Sequence, residues 1–340
     1  MRRRASEQRG LVTPLICACL ALIPASALLS AVTAKQMRRR SFGQSIRPVG
    51  PQRHATKEGT PTMGGVVLFV LWAATVAVLF AWHPPTKATA FVLAAGGLFT
   101  AIGALDDAIS IRKRRSKGLS VFWKLALSSV AAIALFFLFR DVLSVPLRIP
   151  FAAMAVSLPP PAVFALTWIV FLSTTNAMNL ADGLDGLATG VAILVLAGAL
   201  LLRPSSTGLL VGVPLIAALA GFLWINVHPA DLFLGDAGSF FLGGVVAAVC
   251  LADGTAFFLP ILAGVLVLEV GSVILQIFVY KTMGKRIFRM SPLHHHFEVS
   301  LDGPREHLLP AFSWPEGKVA VRFWILQGAF VGLALLAGRF

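Results

Sequence analysis

The chain has 340 residues, of which 57% are hydrophobic and only 13% are charged, and its formal net charge is +14. A mean hydropathy of +0.83, with about half the charged fraction of ordinary soluble domains, excludes a soluble globular protein. The positive charge lies in short loops between apolar segments, and no basic stripe alternates with aromatic residues, which argues against nucleic-acid binding.

Apolar segments of the length needed to cross a bilayer, about 17–25 residues, recur along the whole chain. About ten are predicted, at 11–34, 63–82, 88–105, 120–139, 161–177, 187–202, 208–225, 238–252, 256–280 and 322–338. Each must satisfy its own backbone polar groups in lipid, so helices are predicted and not a barrel. The predicted fold is an all-α polytopic membrane protein, one domain over residues 1–340.

Lysine and arginine are concentrated in the first, third and ninth loops, for example at Arg38–Arg40, Arg112–Arg115 and Lys285–Arg289. Positive residues favour the cytoplasmic side, so both termini are predicted to lie outside, in the periplasm. Arg2–Arg4 argue against this orientation but are outnumbered. The polar clusters all fall in the predicted cytoplasmic loops, which predicts one site at that membrane surface. These loops are about 35–62, 106–119, 178–186, 226–237 and 281–321.

The second apolar segment follows the motif Lys57-Glu-Gly-Thr-Pro-Thr-Met-Gly-Gly65. Thr60 is predicted to be the N-cap of a helix, with Pro61 in the first turn. A helix N-terminus beside Lys57 suits a phosphate, so Lys57 and Thr62 are candidate substrate contacts. The alternative is a capped helix whose small residues serve only close packing.

Asp106 and Asp107 are adjacent carboxylates at the end of the third apolar segment. Because adjacent carboxylates repel each other, they favour a nearby cation, which suits either a metal site or a general base. The alternative is a charged pair that marks the exit from the membrane and is balanced by Arg112–Arg115.

The stretch Asn176-Ala-Met-Asn-Leu-Ala-Asp-Gly-Leu-Asp-Gly186 places two carboxylates between two apolar segments. A bilayer solvates carboxylates poorly, so an ionisable residue at this depth indicates a functional site. Asn179, Asp182 and Asp185 are evenly spaced, and a helical turn here would place them on one face. The alternative is a solvated turn that only joins two helices.

The stretch Asn226-Val-His-Pro-Ala-Asp-Leu-Phe-Leu-Gly-Asp236 is a third acidic loop. Asp236 lies between glycines, where the backbone can approach a ligand closely. Asn226 and His228 add neutral hydrogen-bonding groups. Phe233 is a candidate to stack on a base, and the alternative is an aromatic residue at the membrane interface.

The run His294–His296 follows the ninth segment and lies beside the basic stretch Lys285–Arg289. Adjacent histidines point in different directions, which favours a donor cluster for a sugar or a diphosphate over a zinc site; a solvated loop is the alternative. Glu269 and Gln276 lie on one face of the ninth helix. Glu269 is expected to be structural and Gln276 to reach the site.

Several carboxylates without a zinc-type cysteine and histidine set favour a hard divalent cation. Mg²⁺ prefers oxygen ligands and usually binds through one or two carboxylates plus substrate phosphates. An acidic site with a basic rim at the lipid surface therefore suits magnesium-dependent phosphoryl transfer to or from a membrane lipid. A cation transporter fits less well, because its acidic residues should lie near the bilayer midplane.

From about Ser41 to Trp324 the motifs resemble the phospho-N-acetylmuramoyl-pentapeptide transferase (MraY) family. Besides those above, the resemblance is carried by Ser41-Phe-Gly-Gln44, Phe233-Leu-Gly-Asp236, Arg286-Ile-Phe-Arg-Met290 and Pro292-Leu-His-His-His-Phe-Glu298. The acidic motifs are shared with all polyprenyl-phosphate sugar-1-phosphate transferases. The histidine motif and Gly59-Thr-Pro-Thr-Met-Gly-Gly65 separate this branch from relatives that use UDP-N-acetylglucosamine.

The resemblance implies a reaction of UDP-N-acetylmuramoyl-pentapeptide with undecaprenyl phosphate, which yields lipid I and UMP in the first membrane step of peptidoglycan synthesis. It implies a requirement for Mg²⁺, a bundle of ten helices and a site on the cytoplasmic face of the bacterial inner membrane. A homodimer through small-residue helix faces is a further family expectation.

The resemblance also implies roles for individual residues. Asp236 matches the magnesium ligand, and Asp106 and Asp107 match a pair that handles the lipid phosphate, one of them as base. The implied substrate contacts are Lys57, Thr62, Asn179, Asp182, Asp185, Asn226, Phe233, Gln276, His294, His295 and His296. Direct attack by the lipid phosphate and a covalent intermediate on an aspartate are both compatible with these residues.

Three alternatives differ from this assignment in chemistry. The first is a sister transferase that uses UDP-N-acetylglucosamine and would release UMP only with that substrate. The second is a membrane transporter, which would keep its function after loss of Asp236. The third is a catalytically inactive scaffold for cell-wall assembly, which the intact acidic set disfavours.

Overall fold

The computed structural model describes residues 2–39, 59–113, 118–298 and 306–340. The helices are α1 (Arg2–Arg39), α2 (Gly64–Leu79), α3 (Lys87–Lys113), α4 (Val121–Leu143), α5 (Pro160–Ala181), α6 (Leu187–Leu202), α7 (Ser206–Asn226), α8 (Gly235–Ala252), α9 (Leu259–Leu262), α10 (Gly264–Met283), α11 (Leu293–Phe297) and α12 (Glu316–Ala337). Within these ranges, 8 helices are long and apolar enough to cross a membrane, and α2 and α6 are shorter apolar helices. The prediction of an all-α polytopic membrane protein is therefore confirmed at this level.

Every predicted apolar segment coincides with a helix, but two boundaries were predicted wrongly. Asp106 and Asp107 lie inside α3, which continues to Lys113, and not in a loop. The helix can continue past them because both carboxylates accept backbone N–H groups from neighbouring segments. The ninth predicted segment is interrupted: a 3₁₀ turn and α9 precede a break at Ala263, after which α10 begins.

The break at Ala263 is stabilised by a side chain from α12. Gln327 is fully buried, and its Nε2 donates to the carbonyl of Leu262 at 2.6 Å while its Oε1 accepts from the N–H of Val265 at 3.2 Å. Buried backbone groups must find partners. Gln327 therefore supplies hydrogen bonds that an unbroken helix would have made by itself.

The predicted N-cap Thr60 is also wrong, because α2 begins only at Gly64 and follows Met63, which has a left-handed backbone. The N–H groups of Gly64 and Gly65 donate to the carbonyls of Phe233 and Leu234 at 3.0 and 2.9 Å. The first donors of α2 are thus satisfied by the segment before α8, and no side-chain cap is needed.

Helix α8 lies at the centre of the bundle, and almost all of its residues are buried. It packs against α2, α3 and α5. Glycines make these approaches close: a Cβ on Gly65 would collide with the backbone of Gly238, and a Cβ on Gly103 would collide with the carbonyl of Asp236. The start of α8 is therefore held tightly against α2 and α3.

We expect Gly65→Ala to destabilise the protein, because the new methyl group meets backbone atoms that cannot rotate away. Overpacking of this kind typically costs about 1–3 kcal/mol. Thermal unfolding in detergent measures the loss. Gly271→Ala in α10 is the matched control, since a Cβ there has nothing within 4 Å; equal melting temperatures for both variants would contradict the packing argument.

A short hairpin joins helix ends at the opposite end of the bundle from Asp236. Its strands are β1 (Leu147–Arg148) and β2 (Ala155–Val156), paired antiparallel. The Arg148 guanidinium donates to the carbonyls of Leu202 and Gly338 at 3.2 and 2.7 Å. A cation beside the C-terminal carbonyls of α6 and α12 is favoured by both helix dipoles.

Candidate active site

Three carboxylates predicted from two separate motifs meet where the end of α3 contacts the start of α8. The Asp107 Oδ1 and Oδ2 atoms accept from the N–H groups of Asp236 and Ala237 at 3.2 and 3.0 Å. Asp106 and Asp107 are each only 5% exposed. A carboxylate at a helix N-terminus satisfies free N–H groups and is stabilised by the helix dipole. Asp107 therefore fixes the first turn of α8, which carries Asp236.

Lys124 of α4 lies between two of these carboxylates. Its Nζ is 3.1 Å from Asp106 Oδ2 and also contacts Asp236 Oδ2, and its side chain is 20% exposed. Lys124 was not among the site residues predicted from the sequence. Its sequence position could have identified it, because it is a lone lysine inside a predicted apolar segment. An ionisable residue at membrane depth needs a partner or a function.

Asn179 completes the cluster from α5. Its Nδ2 donates to Asp236 Oδ1 at 2.8 Å and to Ser239 Oγ at 3.0 Å. Asp236 is thus held through both carboxyl oxygens, by Asn179 on one side and Lys124 on the other. Four helices, α3, α4, α5 and α8, each contribute a polar side chain to this acidic cluster.

Asp185 belongs to a second polar network. Its Oδ2 lies 3.0 Å from His228 Nδ1 and accepts from the N–H of Ala230 at 3.1 Å. Its backbone N–H donates to Glu316 Oε1 at 2.7 Å, and Glu316 Oε2 is 3.3 Å from His228 Nδ1. This network joins the turn after α5, the loop after α7 and the start of α12.

The three polar residues at the end of α5 therefore do not share one helical face. The helix ends at Ala181, so Asn179 lies within it, Asp182 is its C-cap and Asp185 lies beyond it in the turn. Asn179 contacts Asp236, whereas Asp185 contacts His228. The turn separates side chains that a continuous helix would have aligned.

Two amide side chains that were predicted to contact substrate, Asn226 and Gln276, instead make hydrogen bonds within the protein. Asn226 is 3% exposed; its Oδ1 accepts from Thr189 Oγ1 at 2.7 Å and its Nδ2 donates to the Leu232 carbonyl at 3.0 Å. Gln276 is 9% exposed and bonds the backbone of Ile287 and Phe288. Both amides hold loops that border the site.

The remaining predicted contacts lie nearby or outside the described ranges. Thr62 is buried, and its hydroxyl has no hydrogen-bond partner among the residues that the structure describes. Phe233 is partly exposed, and its N–H donates to the carbonyl of Pro61 at 2.8 Å. Lys57 and the motif Ser41–Gln44 lie outside the described residues.

The three histidines of α11 do point in different directions. His294 is fully buried against Glu269, and partly exposed His295 lies 3.0 Å from Glu298 Oε2. His296 Nδ1 accepts from the N–H of Arg289 at 3.1 Å, and its Nε2 lies 3.2 Å from the Pro310 carbonyl. Burial lowers the pKa of His296, which favours the neutral imidazole that these two contacts require.

Arg289 stabilises the same loop: its guanidinium donates to the carbonyls of His296, Glu298 and Phe312. The histidine run beside this basic stretch was predicted to form a donor cluster for a sugar or a diphosphate. In the structure this arginine is engaged by backbone carbonyls around α11, so its cation stabilises the loop conformation.

Comparisons with known proteins agree with these motifs. The family model for glycosyl transferase family 4 matches residues 89–253, and signature 1 of the phospho-N-acetylmuramoyl-pentapeptide-transferases matches residues 57–69. A phospho-N-acetylmuramoyl-pentapeptide-transferase of Rubrobacter xylanophilus is 38% identical over 311 residues, which are 88% of this chain and 89% of the relative. The chain belongs to the phospho-N-acetylmuramoyl-pentapeptide transferase family. A second relative of that name, from Caldanaerobacter subterraneus, is 39% identical over 297 residues, or 85% of this chain and 88% of its own.

The acidic cluster of this transferase suits a magnesium ion chemically. It provides three carboxylates and one amide against a single ammonium group, so an added divalent cation would balance its charge. Lys124 already places a cation between Asp106 and Asp236. The hard oxygen donors match the ligands that Mg²⁺ prefers.

The network around Asp185 is a poorer magnesium site. In the part of the chain that the structure describes, Asp185, His228 and Glu316 are the set of metal-type side chains whose donor atoms lie within 4.8 Å of one another. However, they are bonded to each other and to backbone N–H groups. An imidazole donor also suits zinc or other transition metals better than Mg²⁺.

Proposed function

We propose that the chain transfers phospho-N-acetylmuramoyl-pentapeptide from UDP-N-acetylmuramoyl-pentapeptide to undecaprenyl phosphate, giving lipid I and UMP. The single observation that carries this proposal for the site is the convergence of Asp106, Asp107 and Asp236 around Lys124. Phosphoryl transfer depends mainly on positioning and on cations that stabilise charged oxygens. The similarity to relatives named for this reaction supports the choice of substrates.

For the membrane arrangement, we propose ten spanning helices with both termini in the periplasm and the acidic cluster at the cytoplasmic surface of the inner membrane. The basic loops at Arg112–Arg115 and Lys285–Arg289 support this orientation. The proposed site then combines the segments at about 35–62, 106–119, 178–186, 226–237 and 281–321, of which 106–113 belong to α3. A homodimer through small-residue faces stays a prediction.

Asp236 is the proposed magnesium ligand, with Asp106 and Asp107 beside it. When bound, Mg²⁺ would neutralise charge on the diphosphate oxygens of the nucleotide sugar. Asn179 orients the Asp236 carboxylate through its 2.8 Å hydrogen bond, and Asp107 holds the backbone that carries it. The ammonium group of Lys124 provides a second positive charge for phosphate oxygens.

We favour direct attack by the lipid phosphate. Both oxygens of Asp107 are held by backbone N–H groups, and those of Asp106 are held by Leu119 N–H and Lys124, so neither carboxylate points freely toward a substrate phosphorus. A lipid phosphate oxygen would form the new bond to the phosphorus attached to the sugar. The bond to the bridging oxygen would break, and UMP would leave with that oxygen. An ionised phosphate nucleophile needs little help from a base.

Release of UMP by the purified protein tests this function. We expect release that depends on Mg²⁺ when UDP-N-acetylmuramoyl-pentapeptide and undecaprenyl phosphate are both supplied. Release only with UDP-N-acetylglucosamine would assign the chain to the sister transferases. Folded protein that releases no UMP with either nucleotide sugar would favour the transporter or the scaffold.

A further inference from the structure

A buried ionisable pair lies beneath the acidic turn, outside the cluster that the proposed reaction uses. Glu269 of α10 and His294 of α11 are both 0% exposed. Glu269 Oε2 is 3.2 Å from His294 Nδ1 and accepts from the backbone N–H of His294 at 3.4 Å. Ionisable groups inside an apolar helix are costly and need a partner. We therefore expect this pair to have a role beyond packing.

The position of the pair shows how deeply α11 enters the bundle. Glu269 precedes Gln276 by two helical turns, or about 10 Å along the axis of α10. Gln276 holds the backbone of Phe288, and Glu269 holds His294. The same face of α10 thus holds the loop before α11 at one level and the first histidine of α11 at a deeper level.

The other edge of the His294 ring faces the acidic turn. A Cβ on Gly183 would collide with His294 Nε2, so the imidazole lies directly against the backbone of the Asp182–Gly186 turn. Among the described residues, neither Nδ1 nor Nε2 has a hydrogen-bond partner, so the ring meets Glu269 and the turn by close approach alone. The ring is consequently enclosed between the Glu269 carboxylate on one side and this turn on the other.

We propose that Glu269 is a positioning residue that acts through His294 to set the acidic turn, residues Asp182–Gly186. The carboxylate accepts from the backbone N–H of His294 and lies against one edge of its ring. The ring in turn supports the turn that follows Asn179 of the acidic cluster and carries Asp185 of the second network. Because His294 is enclosed, its role is to position this turn, and partly exposed His295 is the histidine of α11 that reaches the substrate side. The proposal rests on the proposed function, since the turn is predicted to contact the nucleotide sugar.

Steady-state kinetics of Glu269→Gln and His294→Gln tests the proposal. We expect the KM for UDP-N-acetylmuramoyl-pentapeptide to rise by about 10-fold or more, the scale of one lost hydrogen bond to a charged group. The KM for undecaprenyl phosphate should stay unchanged, and the double variant should be no worse than either single one. Asp141→Asn is the control, since its side chain is 68% exposed near the end of α4 and lies outside the proposed site. Lower kcat with both KM values unchanged would reflect loss of folded enzyme alone and would overturn the positioning role.

A second measurement requires no activity. Gly183→Ala should lower the melting temperature of the detergent-solubilised protein by several degrees, because its methyl group meets the imidazole. In a His294→Ala background the same substitution should have little effect. Equal destabilisation in both backgrounds would refute the contact between ring and turn. If the unmodified protein released no UMP, the proposed function would fail, while this melting comparison would still decide the contact.

Discussion

Asp236→Asn should reduce the rate of UMP release by about 1,000-fold, equivalent to about 4 kcal/mol of transition-state stabilisation. Asparagine keeps the size of the side chain but removes the negative charge that faces Lys124. It also removes the carboxylate proposed to hold Mg²⁺, and that interaction typically supplies several kcal/mol. The measurement is the initial rate per amount of folded protein at saturating substrates and Mg²⁺.

Asp231→Asn is the matched control for this prediction, since it lies in the loop just before α8 and undergoes the same chemical change. Asp231 makes an ion pair with Arg38 at 2.6 Å, and the two side chains are 59% and 50% exposed. Exposed ion pairs contribute about 0–1 kcal/mol, so activity should stay within about twofold. Similar losses in the two variants would mean that the loop, and not the Asp236 carboxylate, determines activity.

The carboxylates of the acidic cluster could be predicted from the sequence because their environment is unusual. Asp106, Asp107 and Asp236 adjoin apolar segments where charge is costly, so each indicated a site without any structure. Their common location followed from the alternation of membrane-crossing segments. The hydrogen bonds from Asp107 to the start of α8 were not predictable, because they join residues 129 and 130 positions apart.

Amide residues show where prediction from sequence stops. Asn179 and Asn226 both precede acidic motifs, and both were assigned to substrate. In the structure Asn179 contacts Asp236, whereas Asn226 is buried and joins Thr189 to Leu232. An amide can satisfy a backbone carbonyl or a ligand with the same atoms. Only the packed neighbours distinguish the two cases.

Helix interruptions were missed for a related reason. The run at residues 256–280 is apolar throughout its first half, so hydropathy predicts one continuous segment. The break at Ala263 depends on Gln327, whose amide replaces the missing bonds from 65 residues away. Because the stabilising side chain lies in another helix, the sequence around the break contains nothing that predicts it.

Lys124→Met should lower the rate of UMP release by about 100- to 1,000-fold, the loss typical when a single preorganised electrostatic group is removed. Methionine has a similar length and remains compatible with α4, but it leaves Asp106 and Asp236 facing each other without the ammonium group. If Lys124 contacts substrate phosphate as proposed, raising Mg²⁺ should not restore the rate. Lys124→Arg, which keeps the charge in a bulkier form, should retain more activity than Lys124→Met.

Lys87→Met provides the control for Lys124→Met, because it removes the same group from another helix. Lys87 pairs with Asp141 at 2.8 Å, and the two side chains are 76% and 68% exposed. Water screens this pair, so activity should change by no more than about twofold.

Full recovery of Lys124→Met at high Mg²⁺ would show that the lysine only balances the charge of the carboxylates. A persistent loss would place its ammonium group among those that act on phosphate oxygens, a role that the lysine's position inside an apolar helix favours.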